Sequence, residues 1–311
     1  MLKRIKLLYE IYNFFHKKDL AHNAALYEKY GIKKKYYSSI SSEDFEGIDL
    51  EQNGLLGPKK KASDTAFFQQ LDAESKQSVE QFEETGYAVI KGFWSMETVA
   101  RVNAEIERML AEKEIDFKYG NKLMFAIHKS EFLRELCYNK EVEELLDCLI
   151  GGDAQLFQSI NFINGSEQKT HSDSIHMTTF PLGGLLGAWI ALEPITAENG
   201  PLHYYPKSHQ LPYYMNRDYD NTGSRFLLGD KGYKAYEEMI ETKVEELDIK
   251  KKIFTAGPGD LLIWHANLLH GGEPRSDKNS TRKSMVLHYF DANRICYHEI
   301  TQRPALMPNL N

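Results

Sequence analysis

Long apolar runs are missing from this chain. None approaches the roughly 18–20 residues that span a bilayer, so no membrane-crossing helix is expected. Cysteine is scarce. Cys137, Cys148 and Cys296 are odd in number and lack CxxC spacing, which fits a reducing cytoplasm and no disulfide framework. Nor is there an excess of positive charge: the net charge is −7. Residues 1–62 carry twelve Lys and Arg against eight Asp and Glu, leaving the rest near −11. An acidic body argues against nucleic acid as its partner. The opening MLKRIKLLYEIYNFFHKK resembles a secretion signal only briefly. Glu10 and Asn13 interrupt it and no small-residue cleavage site follows, so it reads as mature protein. No internal repeat is visible.

What is present suits a large globular domain with an appendage: 311 residues, 42% of them hydrophobic, with mean hydropathy −0.50. Leu2, Ile5, Leu8, Ile11, Tyr12 and Phe15 form a helical stripe within residues 2–18, with Lys3, Lys6, Lys17 and Lys18 largely elsewhere. Such a stripe packs on its own domain or docks on a membrane surface or protein partner. A second helix is expected near 19–30. Residues 31–63, with KKK at 33–35 and 59–61, read as a linker or surface arm. The main domain is therefore assigned to 64–300, with residues 1–63 a helical basic extension and 301–311 a tail.

Within that domain, 72–84 reads as a helix ending at Gly86, and Tyr87-Ala88-Val89-Ile90 as a strand. Ser95 caps a helix over 96–113, and a helical pair covers 130–150 before Gly151-Gly152. Short apolar runs then alternate with turns at 155–163, 184–192, 201–205, 251–255, 260–265 and 282–290. Helices followed by strands in this rhythm predict an α+β, mainly β fold: a jelly-roll barrel buttressed by helices. A polar helical insert is expected over 229–248, near the barrel mouth.

The chemistry gathers in a few short segments. Lys169-Thr170-His171-Ser172-Asp173-Ser174 closes a predicted strand. Residues i and i+2 of an extended chain share a face, so His171 and Asp173 can present an imidazole and a carboxylate to one ion. The segment from Gly259 to Gly272 offers a distant histidine, His265 or His270. Two histidines and a carboxylate leave coordination positions open, as in non-haem Fe(II) oxygenases, and those positions suit a bidentate 2-oxoacid and O₂. Twelve residues beyond His270, Arg282 begins a strand on which Arg282 and Ser284 share a face. A guanidinium with a neighbouring hydroxyl suits the distal carboxylate of 2-oxoglutarate.

The chain resembles the phytanoyl-CoA dioxygenase family of Fe(II)/2-oxoglutarate-dependent oxygenases over roughly residues 75–295. The likeness rests on Phe82 to Phe93, His171-x-Asp173, Trp189-Ile190-Ala191-Leu192-Glu193-Pro194, Glu198-Asn199-Gly200-Pro201-Leu202, Pro206-Lys207-Ser208-His209, His270 and the Arg282 strand. It implies a double-stranded β-helix (cupin-like) core, iron held by His171, Asp173 and His270, Arg282 as the 2-oxoglutarate anchor, and Trp189 lining the cosubstrate pocket. Two positions depart from the pattern: Ser172 where Gln is frequent, and Lys207 where Gly is usual. The implied enzyme is a hydroxylase of a small-molecule C–H bond, releasing succinate and CO₂. A cupin-like Zn²⁺ or Mn²⁺ isomerase or hydrolase, or a non-catalytic binding module, are the alternatives.

Other residues carry weaker expectations. His176 and Met177 follow the HxD and are expected on the substrate side, with Tyr213 and Tyr214 at the rim. His209 is expected to organise its loop, and Asn199-Gly200 to form a turn. His128, His203 and His298 have no partner pattern. Among the late histidines, His270 has the family's distance to Arg282 and precedes two glycines. His265 is expected as a pocket or supporting residue. His288 lies about six residues along the strand from Arg282, near 20 Å at roughly 3.3 Å per residue, and is expected to be too far to share a metal.

Overall fold

The computed structural model describes residues 4–48, 50 and 60–307. Leu2, Lys3, Lys59 and the end of the tail from 308 lie outside them. The chain begins with α1 (Lys6–Phe15) and α2 (His22–Lys29), then α3 (Ala66–Gln70), α4 (Ala73–Glu80) and α5 (Phe82–Thr85). Strand β1 (Tyr87–Ile90) and the long α6 (Met96–Ala111) follow. A hairpin of β2 (Phe117–Lys118) and β3 (Lys122–Met124) precedes α7 (Glu131–Cys137) and α8 (Lys140–Ile150). Next come β4 (Ala154–Phe162), β5 (Thr178–Phe180), β6 (Leu185–Ala191) and β7 (Leu202–Tyr204). Helix α9 (Tyr233–Glu246) separates these from β8 (Lys252–Phe254), β9 (Leu261–His265), β10 (His270–Gly272), β11 (Ser284–Asp291), β12 (Ile295–His298) and β13 (Arg303–Pro304).

Side-chain caps start the helices where the sequence places them. Asp72, Ser95, Ser130 and Asn139 each accept from an amide of the first turn, satisfying donors that a helix leaves unpaired. Gly86 and Gly151 end α5 and α8 in the left-handed conformation. The helix expected over 72–84 is split at Gln81 into α4 and α5. Helix α4 lies along the outer edge of β1, where the Val89 and Lys91 amides donate to the Ser78 and Ser75 hydroxyls. That cover blunts an edge strand.

The sheets are antiparallel throughout. The largest runs β1-β9-β6-β11-β4-β3-β2, and two smaller ones run β10-β7-β8 and β13-β12-β5. One face of the large sheet packs on α6, α7 and α8 through Leu261, Ile263, Met285 and Leu287. The other face meets the β10-β7-β8 sheet through Leu262, Trp264, Val286, Leu202, Tyr204 and Phe254. This is the jelly-roll, double-stranded β-helix arrangement buttressed by helices. Opposite His288/Tyr289, the β11–β4 register shifts, placing a bulge at the cavity wall. The described part of the 31–63 arm is pinned rather than loose. Phe45 stacks on Phe180 at 4.1 Å, and the buried Glu299 carboxylate accepts from Ser42.

Gly259 precedes β9 with φ +85°, and a Cβ there would lie 1.9 Å from the Trp94 carbonyl oxygen. Both the backbone conformation and the space demand glycine. Gly259→Ala is expected to lower unfolding free energy by about 2 kcal/mol or more in denaturant titration. An unchanged midpoint would contradict the packing described.

Candidate metal centre

His171 and His270 are neighbours because their backbones pair: each amide donates to the other's carbonyl at 2.9 Å. This is a single antiparallel bridge, not the strand end expected for His171. The shared face nevertheless survives. Ser172 is extended (φ −106°, ψ 150°) and Asp173 opens a short 3₁₀ turn, so both ligand-type side chains point inward. One oxygen of Asp173 lies 3.8 Å from each of the His171 and His270 Nε2 atoms. All three residues are buried, and one ligand atom from each falls within 4.8 Å of the others.

Hydrogen bonds set the protonation of this cluster. His171 Nδ1 lies 2.8 Å from the Lys169 carbonyl, and His270 Nδ1 2.9 Å from the Leu268 carbonyl. A carbonyl only accepts, so each Nδ1 carries a proton and each Nε2 is the ring nitrogen left facing inward for metal ligation. Burial, then His270, holds the His171 pKa well below the usual imidazole value. Burial by itself would raise Asp173, but the surrounding imidazoles of His270, His288 and His171 draw its pKa below the ordinary carboxylate range. Trp264 donates its Nε1–H to the second Asp173 oxygen at 2.7 Å, fixing the carboxylate's rotation. The centre thus offers two imidazole nitrogens and one carboxylate, a donor set that fits Fe(II) and leaves positions for other ligands.

Arg282 occupies the same cavity and is 1% exposed. Its guanidinium donates to the Gly200 carbonyl (3.0 Å), the Ser284 hydroxyl (2.9 Å) and the Ser166 hydroxyl (3.4 Å). Among the described residues, no carboxylate lies within ion-pair distance of it. Burial lowers its pKa to about 10, with Glu193 opposing, so it is cationic at neutral pH. Trp189 stacks nearby, 5.7 Å from its ring to the guanidinium carbon. The buried Trp189 Nε1 has no hydrogen-bond partner among the described residues.

The family model for phytanoyl-CoA dioxygenase (PhyH) matches residues 82–284. The chain belongs to the phytanoyl-CoA dioxygenase family. The family member phytanoyl-CoA dioxygenase domain-containing protein 1 of Danio rerio is 27% identical over 178 residues, 55% of this chain and 56% of its own length. The chain therefore spans a little over half of that relative. The crystal structure of EctD from S. alaskensis with 2-oxoglutarate and 5-hydroxyectoine superposes with TM-score 0.58 at 18% identity, covering 89% of this chain and 95% of EctD. The epimerase SnoN, in complex with Fe3+, alpha ketoglutarate and nogalamycin RO, gives 0.56 at 22% identity, covering 74% and 87%.

In this family member the cavity measures about 750 Å³ and is lined by His171, Asp173, His270, Trp189, Arg282, His176 and Met177 among others. His176 sits between His171 and the Tyr233 ring of α9. Burial and Lys122 lower its pKa to about 4. The expected helical insert is α9, and its Tyr236 hydroxyl contacts the amide and hydroxyl of Ser172 at 3.2 Å. A second chamber of about 360 Å³ shares Phe125, Gln158, His298 and Arg303 with the first, and α1 contributes Tyr12 and Asn13 to it.

Several expectations are corrected. Tyr213 does not line the cavity; it lies by His265 and Gly183. Tyr214 packs instead with the apolar cluster under α9. His265 is only half-buried and faces His209, on the face that Leu261 and Ile263 turn to the helices. Trp264, on the opposite face, is the residue that reaches Asp173. His288 is not remote: its Nε2 lies 3.7 Å from the second Asp173 oxygen. The Asn199-Gly200 turn also presents the carbonyl that Arg282 grips. His298, given no role, lines both chambers and holds the His176 carbonyl at 2.9 Å. His203 supports Thr170 at 2.9 Å and pairs with Glu273 at 2.8 Å. His209 contacts the Glu83 carbonyl at 3.1 Å, the loop-organising contact expected.

This geometry separates the late histidines by experiment. His270→Ala is expected to abolish Fe(II) binding in equilibrium dialysis, whereas His265→Ala retains it. The reverse pattern would overturn the ligand set.

Proposed function

We propose that this protein is an Fe(II)- and 2-oxoglutarate-dependent hydroxylase of a small molecule, with His171, Asp173 and His270 as iron ligands. The observation carrying this reading is Arg282: a buried cation with no carboxylate partner among the described residues, in the same cavity as three metal-type side chains. An uncompensated buried charge is costly, and a dicarboxylate cosubstrate removes that cost. Arg282 and Ser284 hold the distal carboxylate, and the Trp189 Nε1–H, without a partner among the described residues, is a further donor on the same cavity wall. Bound iron and 2-oxoglutarate supply the oxidising power from O₂, with succinate, CO₂ and a hydroxylated C–H bond as products.

The remaining residues position and protect. Lys169 and Leu268 keep both imidazoles in the ligating tautomer, and Trp264 aims the carboxylate. His176, neutral at physiological pH, and Met177 form the wall against which substrate lies. The solved neighbours of this fold include the epimerase SnoN, and the Asp173 carboxylate in the triad speaks against halogenation, leaving the substrate screen below to test hydroxylation. Related halogenases lack that carboxylate, and chlorination of substrate by the native protein in chloride would overturn the assignment.

Arg282→Leu is expected to weaken 2-oxoglutarate binding about ten- to hundredfold, the loss of about 1.5–3 kcal/mol for a hydrogen bond to a charged group, while Fe(II) affinity stays within a few-fold. Arg275→Leu leaves 2-oxoglutarate affinity unchanged, because Arg275 is engaged with Glu167 and the Ser280 carbonyl outside the cavity. A screen of small molecules for stimulated succinate release, read by mass spectrometry, identifies the substrate. Unchanged affinity in Arg282→Leu would refute the anchor.

A further inference from the structure

Helix α1 turns its apolar stripe to solvent. Leu7, Leu8, Ile11, Phe14 and Phe15 follow one helical face, and their exposures run from 46% for Leu8 and Phe14 to 77% for Phe15. The residue α1 buries is polar: Asn13, whose amide donates to the Tyr37 carbonyl. An amphipathic helix normally covers that stripe with its own core. The exposed surface also continues beyond the helix. The Lys6 amide bonds the Phe226 carbonyl and Ile5 bridges Leu227, and these two residues are 69% and 38% exposed.

Cations rim the surface. Lys17 Nζ lies 3.7 Å from the Phe14 ring centre, and the Arg225 guanidinium carbon 5.5 Å from the exposed Phe226 ring. Lys18 is exposed next in the chain, and the exposed Lys35 lies 5.7 Å from the ring of Tyr37, which meets Phe14 edge-on. None of these four forms an ion pair among the described residues. Basic side chains beside exposed aromatic and leucine residues match an anionic bilayer surface, where apolar groups enter the interface and ammonium and guanidinium groups meet the headgroups. A protein partner would need a complementary acidic rim, and the acidic main body of a second copy is the nearest example of one.

We infer that α1, with the Phe226-Leu227 loop, is a docking surface for anionic lipid bilayers, lying in the interface rather than crossing it. The inference is independent of the reaction proposed above. Because Tyr12 and Asn13 of the same helix line the second chamber, docking sets that chamber beside the lipid surface.

The test uses the full chain, co-sedimented with phosphatidylcholine vesicles with and without phosphatidylserine. The expected result is sedimentation with the anionic vesicles that weakens several-fold in pure phosphatidylcholine or high salt. Leu8→Glu/Phe15→Glu is expected to lose binding by about tenfold or more with an unchanged thermal midpoint. Lys17→Glu/Lys18→Glu is expected to remove the preference for phosphatidylserine. Three results would overturn the inference: no sedimentation with either vesicle, sedimentation unaffected by Leu8→Glu/Phe15→Glu, or a dimer by light scattering that the same substitution makes monomeric.

Discussion

Two backbone hydrogen bonds, exchanged between His171 and His270, hold the candidate centre together. They join segments a hundred residues apart in sequence at the position where both imidazoles must meet one ion. The neighbouring chain must then come very close. A Cβ on Gly271 would stand 2.7 Å from the Gln168 carbonyl oxygen, and one on Gly272 2.4 Å from the Ser166 hydroxyl. Glycines at both positions allow β10 to lie against the 166–168 loop, whose Ser166 also touches Arg282. Carbonyls from Lys169 and Leu268 then fix the rings, so ligand geometry is set by main chain rather than by flexible side chains.

Charge explains why the centre is paired with an anchor. Asp173 supplies the cavity's carboxylate, whereas Arg282 and Lys122 both bring amine or guanidinium charge to the lining. Burial depresses the Lys122 pKa, with Asp173 opposing. The cavity lining is therefore short of negative charge at its Arg282 end, and burial strengthens any contact a carboxylate makes there. If His171, Asp173 and His270 hold iron and Arg282 takes a cosubstrate carboxylate, as proposed, the two ends of the cavity would come into electrostatic balance.

Much of this was legible in the sequence, for definable reasons. Capping residues and glycine stops located the helices, and apolar runs located β4, β6, β9 and β11 to within a residue or two. His171, Asp173, Arg282 and Ser284 were readable because two-residue spacing conveys face-sharing even where no regular strand forms. The failures have physical causes too. Strand β9 is apolar on both faces, one toward the helices and one toward the second sheet. Alternation thus grouped His265 with Leu261 and Ile263 correctly but could not tell which face was inside, and Trp264 was overlooked. The distance argument against His288 counted along one strand from Arg282 and ignored that Asp173 lies 3.7 Å from the imidazole. Strand β10, with two glycines in three residues, has no periodicity to detect. For α1, the stripe itself was visible; its solvent exposure was not, since periodicity does not say what lies opposite.

One cavity is proposed to bind iron through His171, Asp173 and His270 and 2-oxoglutarate through Arg282 and Ser284. Anaerobic titration of the Fe(II)-loaded full chain with 2-oxoglutarate, followed by visible absorption, tests it most directly. A metal-to-ligand charge-transfer band is expected to develop and saturate as the 2-oxoacid chelates the iron. Iron binding with no such band at saturating 2-oxoglutarate, or no iron binding at all, would contradict it.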